Sequence, residues 1–217
     1  MKKKLLFVLL AIFLLVGCSK DNIFKNDYEA LNGKENAHGK IHRTITIDED
    51  NPFEEVSAEK IVKMIENKET FYVYFGDELC PWCRSVIEKF IEVAKKNNIK
   101  KVYYVKIWDS EGNEVLRDKY SLEDGSLKLV SEGTESYKKL LTYFDSVLTD
   151  YNLTNDKGEE VSCNEKRIYA PNFIYVEKGN TIKLTEGISS LQKDSREELT
   201  KEILDEETSL FEEFFKK

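Results

Sequence analysis

The sequence predicts a mixed α/β fold, a central sheet with helices packed on its faces. Three observations lead there. Phe71–Phe75 is a continuous apolar run, as expected of a strand buried on both faces, and a helical apolar period and a second strand-like run follow it. Asn172–Val176 and Thr181–Leu184 flank Lys178-Gly179-Asn180, the pattern of an antiparallel hairpin with a tight turn. The chain then closes with an amphipathic helical pattern.

At the N-terminus, Met1-Lys2-Lys3-Lys4 is a basic segment, and the unbroken apolar stretch Leu5–Val16 is short for a membrane-spanning helix but right for the core of a signal peptide. It ends in Leu15-Val16-Gly17-Cys18, which resembles the bacterial lipobox: a small residue before the cleavage point, then a cysteine whose sulfur receives diacylglycerol. On that resemblance residues 1–17 are a leader, Cys18 is the lipid attachment site, and the domain is extracytoplasmic, held at the bacterial cell membrane by its acyl chains. An ordinary secretory signal with an incidental cysteine also gives an exported domain. Residues 18–40 are polar, without hydrophobic period, and read as the lipidated cysteine and a flexible tether. Residues 41–217 have the length of one domain with an insertion.

Within that domain, Ile41–Ile47 alternates like a strand, and Ser57 caps a helix with Val56, Ile61, Val62 and Ile65 on its apolar side. Phe71–Phe75 is the central strand. Val86, Ile87, Phe90, Ile91 and Ala94 recur at helical spacing, and Val102–Ile107 returns to a strand. Residues from about 108 to 167 exceed what a crossover needs and read as an insertion, with a hairpin around Asp124-Gly125 and a helix whose stripe runs from Tyr137 through Leu140 and Phe144 to Leu148 and Tyr151. The terminal helix has Ile203, Leu204, Phe211, Phe214 and Phe215 on its stripe, read as core packing.

Charged residues make up 34% of the chain and the formal net charge is -8, which argues against general nucleic-acid binding and against an electrostatic grip on anionic lipid. With Cys18 lipidated, Cys80, Cys83 and Cys163 remain, an odd number for an export compartment.

The chemistry lies in Cys80-Pro81-Trp82-Cys83, between the central strand and the following helix. A cysteine capping that helix sits among unpaired backbone N–H groups at the positive end of its dipole, which favours thiolate over thiol. Cys83, one turn on, is placed to resolve a mixed disulfide formed at Cys80. Trp82 is a candidate hydrophobic contact for substrate.

The strand leading into this motif, together with Ala170-Pro171 followed by a hairpin and a terminal helix, resembles the thioredoxin-like superfamily. The resemblance implies a three-layer sandwich, a mixed central sheet flanked by helices, here with a helical insertion before the strand that follows a cis-proline. It makes Pro171 that cis-proline, on a loop facing the cysteines, with Ala170 and Pro171 docking an extended polypeptide. Phe71–Gly76 leading into Cys-Pro-Trp-Cys-Arg is similar, within that superfamily, to the thioredoxin-like bacteriocin transport accessory proteins of Gram-positive bacteria. The implied activity is thiol–disulfide oxidoreduction on protein or peptide cysteines. A separate redox partner resets the site, and the Cys80–Cys83 disulfide carries the electrons without a dissociable cofactor. The alternative is a non-catalytic accessory or binding lipoprotein in peptide export.

Two positions depart from the family. Tyr74 stands six residues before Cys80, where thioredoxins carry a buried Asp that relays protons, and Pro81-Trp82 replaces Gly-Pro between the cysteines. Asp77 and Glu78 are possible substitutes, although carboxylates on such a loop are expected to be solvated. Structural zinc competes for paired cysteines but needs about four ligands, and the remaining supply is His38, His42 and Cys163; no metal is expected. A permanent Cys80–Cys83 staple closes too short a loop to stabilise much. Cys163 reads as a small buried apolar residue, a regulatory thiol, or a site of pairing with another chain.

Overall fold

The computed structural model describes residues 22–109 and 111–216. Cys18 and the leader 1–17 lie outside the described residues. The chain runs α1 (Ile23–Ala30), β1 (Phe53–Glu55), α2 (Ala58–Glu66), β2 (Phe71–Gly76), α3 (Pro81–Lys96), β3 (Val102–Lys106), β4 (Lys119–Glu123), β5 (Ser126–Ser131), α4 (Glu135–Phe144), β6 (Thr149–Thr154), β7 (Glu160–Arg167), β8 (Asn172–Glu177), β9 (Asn180–Thr185) and α5 (Lys201–Phe215).

Five strands form one mixed sheet in the order β1-β3-β2-β8-β9. β3 pairs parallel with β1 and β2, while β8 pairs antiparallel with β2 and β9. β2 therefore lies at the centre, and its near-continuous apolar sequence follows from burial on both faces. Strand alternation sorts its side chains: Tyr72 and Tyr74 join one core with α1, α3 and α5, while Phe71, Val73 and Phe75 join another with α2 and α4. β8 divides the same way, Phe173 and Tyr175 against Ile174 and Val176. The first core is aromatic, with Tyr74 stacked 4.5 Å from Phe173 and Phe90 stacked 4.2 Å from Phe173 on its other side.

The segment read as a tether is folded from Asn22 onward. Asn22 caps α1 through Lys25 N, and Phe24 and Tyr28, one turn apart, are buried in the aromatic core, with Phe24 stacked 4.1 Å from Phe53. Two apolar side chains at i and i+4 suffice to dock the helix, too few to stand out in so polar a stretch. Ile41–Ile47 corrects the expected strand in a related way. Ile45 and Ile47 are buried, but their backbone joins no ladder. The N–H groups of Ile45, Thr46 and Ile47 instead donate to side-chain oxygens of Asn32, Glu88 and Glu29 at 3.0, 2.8 and 2.7 Å, so α1, the turn after it and α3 supply the partners a neighbouring strand would have given.

The insertion also differs from the helical one expected. α4 packs on α2 and helps close the second core, so it belongs to the three-layer body. What is added are two hairpins: β4–β5 turning at Asp124-Gly125, where both residues have positive φ as a tight hairpin turn requires, and β6–β7, which was not foreseen. The helical stripe read as far as Tyr151 stops at Phe144, because residues from Thr149 onward pair with β7.

Phe24→Ala is expected to lower stability in urea unfolding by about 3 kcal/mol; a loss below about 0.5 kcal/mol, ordinary for a surface change, would show that α1 is not part of the core. A second expectation concerns Glu207 on α5, which is fully buried and whose carboxylate oxygens have no hydrogen-bond partner among the described residues. Burial pushes its pKa from 4.5 up to about 7, against the charges of Lys89 and Arg43 and with that of Glu206. An acid with a native pKa above its unfolded value favours folding when protonated, so this contribution is lost as pH rises from about 4.5 through about 7. Glu207→Gln is expected to flatten that fall and to raise stability at pH 8 by about 1 kcal/mol, read from unfolding midpoints across pH.

Candidate functional site

Gly76 closes β2 where a side chain has no room. A Cβ there would lie 2.0 Å from the Tyr74 hydroxyl, because the Tyr74 ring folds back beneath it. The next turn is held by Asp77, whose carboxylate accepts the N–H of Leu79 at 3.0 Å and of Trp108 at 3.1 Å. Cys80 then caps α3, its sulfur accepting the Cys83 N–H at 3.2 Å, with Pro81 at the first helical position, where its missing N–H costs nothing. In the reduced form the Cys80 thiol also donates to the Ala170 carbonyl at 3.4 Å.

The five residues expected at the site thus come together, with different shares of it. Cys80, half-buried Trp82 and Ala170 line one open cleft of about 420 Å³. The Ala170–Pro171 bond is cis, but Pro171 itself is buried, and it is the Ala170 carbonyl that faces the sulfur. Cys83 is fully buried behind Cys80. Burial above all, then the adjoining Cys80 sulfur, hold its thiol well above the usual range, while the Tyr74 hydroxyl and the Asp77 backbone N–H act in the opposite sense. Tyr74 in turn meets the Tyr28 hydroxyl at 2.8 Å, a buried hydroxyl pair that ties β2 to α1.

Asp77 and Glu78 are buried, contrary to the solvated loop expected. Asp77 is pushed from 3.8 up to about 7 by burial, then by the Glu78 charge, although the Leu79 and Trp108 N–H groups pull it down. Glu78 is enclosed because Lys106 Nζ reaches it at 3.2 Å and Asp27 of α1 at 2.6 Å, giving the two carboxylates a common cation. Neither carboxylate can be judged from the turn alone, since the groups that bury them come from α1 and β3.

The rest of the cleft was not foreseen. Trp108, Arg117, Arg167 and Tyr169 complete its lining. Trp108 had a signal, its place at the carboxyl end of a parallel strand, where loops converge on the site in open α/β sheets. The two arginines are brought there by the insertion's long-range pairing. Cys163 lies on β7, buried, with its thiol raised by burial. Among the described residues no group of three or more His, Cys, Asp or Glu side chains is gathered to hold a metal ion. No family model matches this chain, and no curated protein matches it.

In the native reduced protein, iodoacetamide at pH 8 is expected to modify Cys80 at least about tenfold faster than Cys83, since burial both raises the Cys83 thiol and closes it off, whereas Cys80 lines the cleft. Mass spectrometry of the labelled peptides reads the order, and equal rates would show that Cys83 is not shielded.

Proposed function

We propose that this protein is a thioredoxin-like thiol–disulfide oxidoreductase acting on the cysteines of other proteins, anchored outside the cytoplasm to the bacterial membrane by lipid on Cys18. The observation that carries the reading is the geometry of Cys80: a helix-capping cysteine, 6% exposed, at the edge of an open cleft and facing the Ala170 carbonyl, with Cys83 fully buried one turn behind. The three-layer arrangement around a mixed sheet supports it.

In the reducing direction, the Cys80 thiolate attacks one sulfur of a substrate disulfide. The S–S bond breaks, a mixed disulfide forms, and the substrate's other sulfur leaves as a thiolate that takes up a proton. Cys83 then loses its proton and attacks the Cys80 sulfur, which forms the Cys80–Cys83 disulfide and frees the second substrate thiol. Two electrons pass from the pair to the substrate, and a partner dithiol restores the pair by the same exchange. Oxidation of a substrate is the reverse, with a partner disulfide as acceptor. Backbone groups beside Ala170 are the proposed dock for the extended substrate. Burial of Cys83 disfavours its thiolate, so deprotonation there is the step that needs help, and the Tyr74 hydroxyl is the neutral donor nearest to that role.

A redox titration in graded glutathione buffers, with free thiols trapped and located by peptide mass spectrometry, is expected to give a reversible Cys80–Cys83 couple. A potential near about -270 mV assigns a reductant and one near about -120 mV an oxidant. Cys83→Ser is expected to accumulate a mixed disulfide at Cys80, and Cys80→Ser to abolish exchange. A pair that stays oxidised throughout, or never forms, would replace the enzyme with a binding lipoprotein.

A further inference from the structure

The chain carries 41 acidic against 33 basic residues, yet among the described residues the cleft beside Cys80 is lined by two arginines and no carboxylate. Arg117 and Arg167 are only 6% and 5% exposed. A buried guanidinium ordinarily has an anion of its own, but these two share Glu114, which pairs with Arg117 Nε and lies 3.1 Å from Arg167 Nη2. Of the neighbouring acids, Asp118 accepts the Gly133 N–H at 2.8 Å, and Glu165 meets the Tyr120 hydroxyl at 3.4 Å through one oxygen while its other oxygen is buried without a hydrogen-bond partner; the Arg167 charge acts on Glu165, but among the described residues neither acid forms an ion pair with either arginine.

Both guanidinium groups are aimed rather than loose. Arg117 Nη1 donates to the Ile168 carbonyl at 3.0 Å and Arg167 Nη1 to the Asp118 carbonyl at 2.6 Å. Arg117 also lies over the Trp108 ring at 5.2 Å and Arg167 over the Tyr151 ring at 4.0 Å. The repulsion between two such cations is relieved by a second anion, and burial and the Arg167 charge both lower the pKa of Arg117.

We infer that this cleft receives a carboxylate carried by the residues flanking the reactive cysteine of an extended polypeptide substrate. The inference deepens the oxidoreductase reading and rests on it for the identity of that cysteine. A planar guanidinium suits a planar carboxylate, which it binds through paired N–H groups. Trp82, Trp108 and Tyr169 supply the apolar flank for the chain that carries it.

The test uses the protein's own reporters, since its only two tryptophans, Trp82 and Trp108, both line this cleft. Peptides blocked at both ends, with serine in place of the cysteine, are titrated against the reduced protein while tryptophan fluorescence is followed. A peptide with Glu beside the serine is expected to bind about tenfold tighter than its Gln counterpart, as one charge-assisted hydrogen-bonded pair provides, and the gap is expected to shrink at high salt. A Gln peptide left with a free C-terminal carboxylate tells whether a side chain or a chain terminus is preferred. Arg117→Gln is expected to erase the preference and Arg117→Lys to keep part of it; if Arg117→Gln does not fold, the peptide series on the unaltered protein still decides. Equal affinity for the Glu, Gln and Lys peptides, or no binding by any, overturns the inference. Failure of the redox reading shows separately, as absent Cys80–Cys83 exchange alongside intact charge selectivity.

Discussion

Arg84 is the side chain on which the site's frame depends. It follows Cys83 on α3 and is 1% exposed, so its N–H groups must all be answered inside the protein. Nε donates to the Arg43 carbonyl at 3.0 Å, Nη1 to the carbonyls of Tyr28 and Glu78 at 2.8 and 3.3 Å, and Nη2 to Asn32 Oδ1 at 2.7 Å. One guanidinium thereby joins the cysteine helix, the turn before it, the end of α1 and the extended segment after it. Burial lowers its pKa, with the nearby Tyr28 and Glu78 acting against that. Removing the cation would take a donor from four acceptors in three parts of the chain, and the cysteines sit at their meeting point.

That a tyrosine, Tyr74, and no carboxylate stands six residues before Cys80 decides how the second thiol is handled. A carboxylate beside Cys83 would repel its thiolate, whereas a hydroxyl can donate to sulfur without adding charge. The nearest raised carboxyl of the turn is Asp77, pushed by burial to about 7 and tied to the backbone N–H groups of Leu79 and Trp108. Tyr74 also dictates its neighbour: with its hydroxyl under Gly76, the strand end accepts no larger residue there unless position 74 shrinks.

Much of this was legible in the sequence where the signal is local. β2, α3, β3, the β8–β9 hairpin and α5 each carry a period or a turn that marks the element, and the place of Cys80 at the start of α3 followed from them, whereas Ala170 was expected at the site only through the family resemblance. α1 was missed because its docking rests on Phe24 and Tyr28 within a polar run, and Ile41–Ile47 was misread because side chains rather than a strand serve its backbone. The hairpin β6–β7 was hidden by Val147, Leu148 and Tyr151, which continue a helical spacing that strand pairing overrides. Arg117 and Arg167 were beyond reach for a different reason: their role comes from a shared glutamate and a common cleft, and no spacing along the chain encodes either.

With the proposed lipid on Cys18, the helix at the start of the described chain would limit how far the cleft can travel. A flexible segment from Cys18 to residue 40 would let the domain wander far from a bilayer, whereas α1 begins at Ile23 and Asn22 already donates to the Glu49 carbonyl. A lipid on Cys18 would then be separated from the folded body by about four residues, at most roughly 14 Å of extended chain. Encounters would be confined to a thin layer along the membrane, with lateral diffusion rather than bulk concentration setting how often a cysteine pair meets Cys80. Polypeptides emerging from or fixed in the same membrane would be sampled, and those released into the surrounding fluid largely passed over.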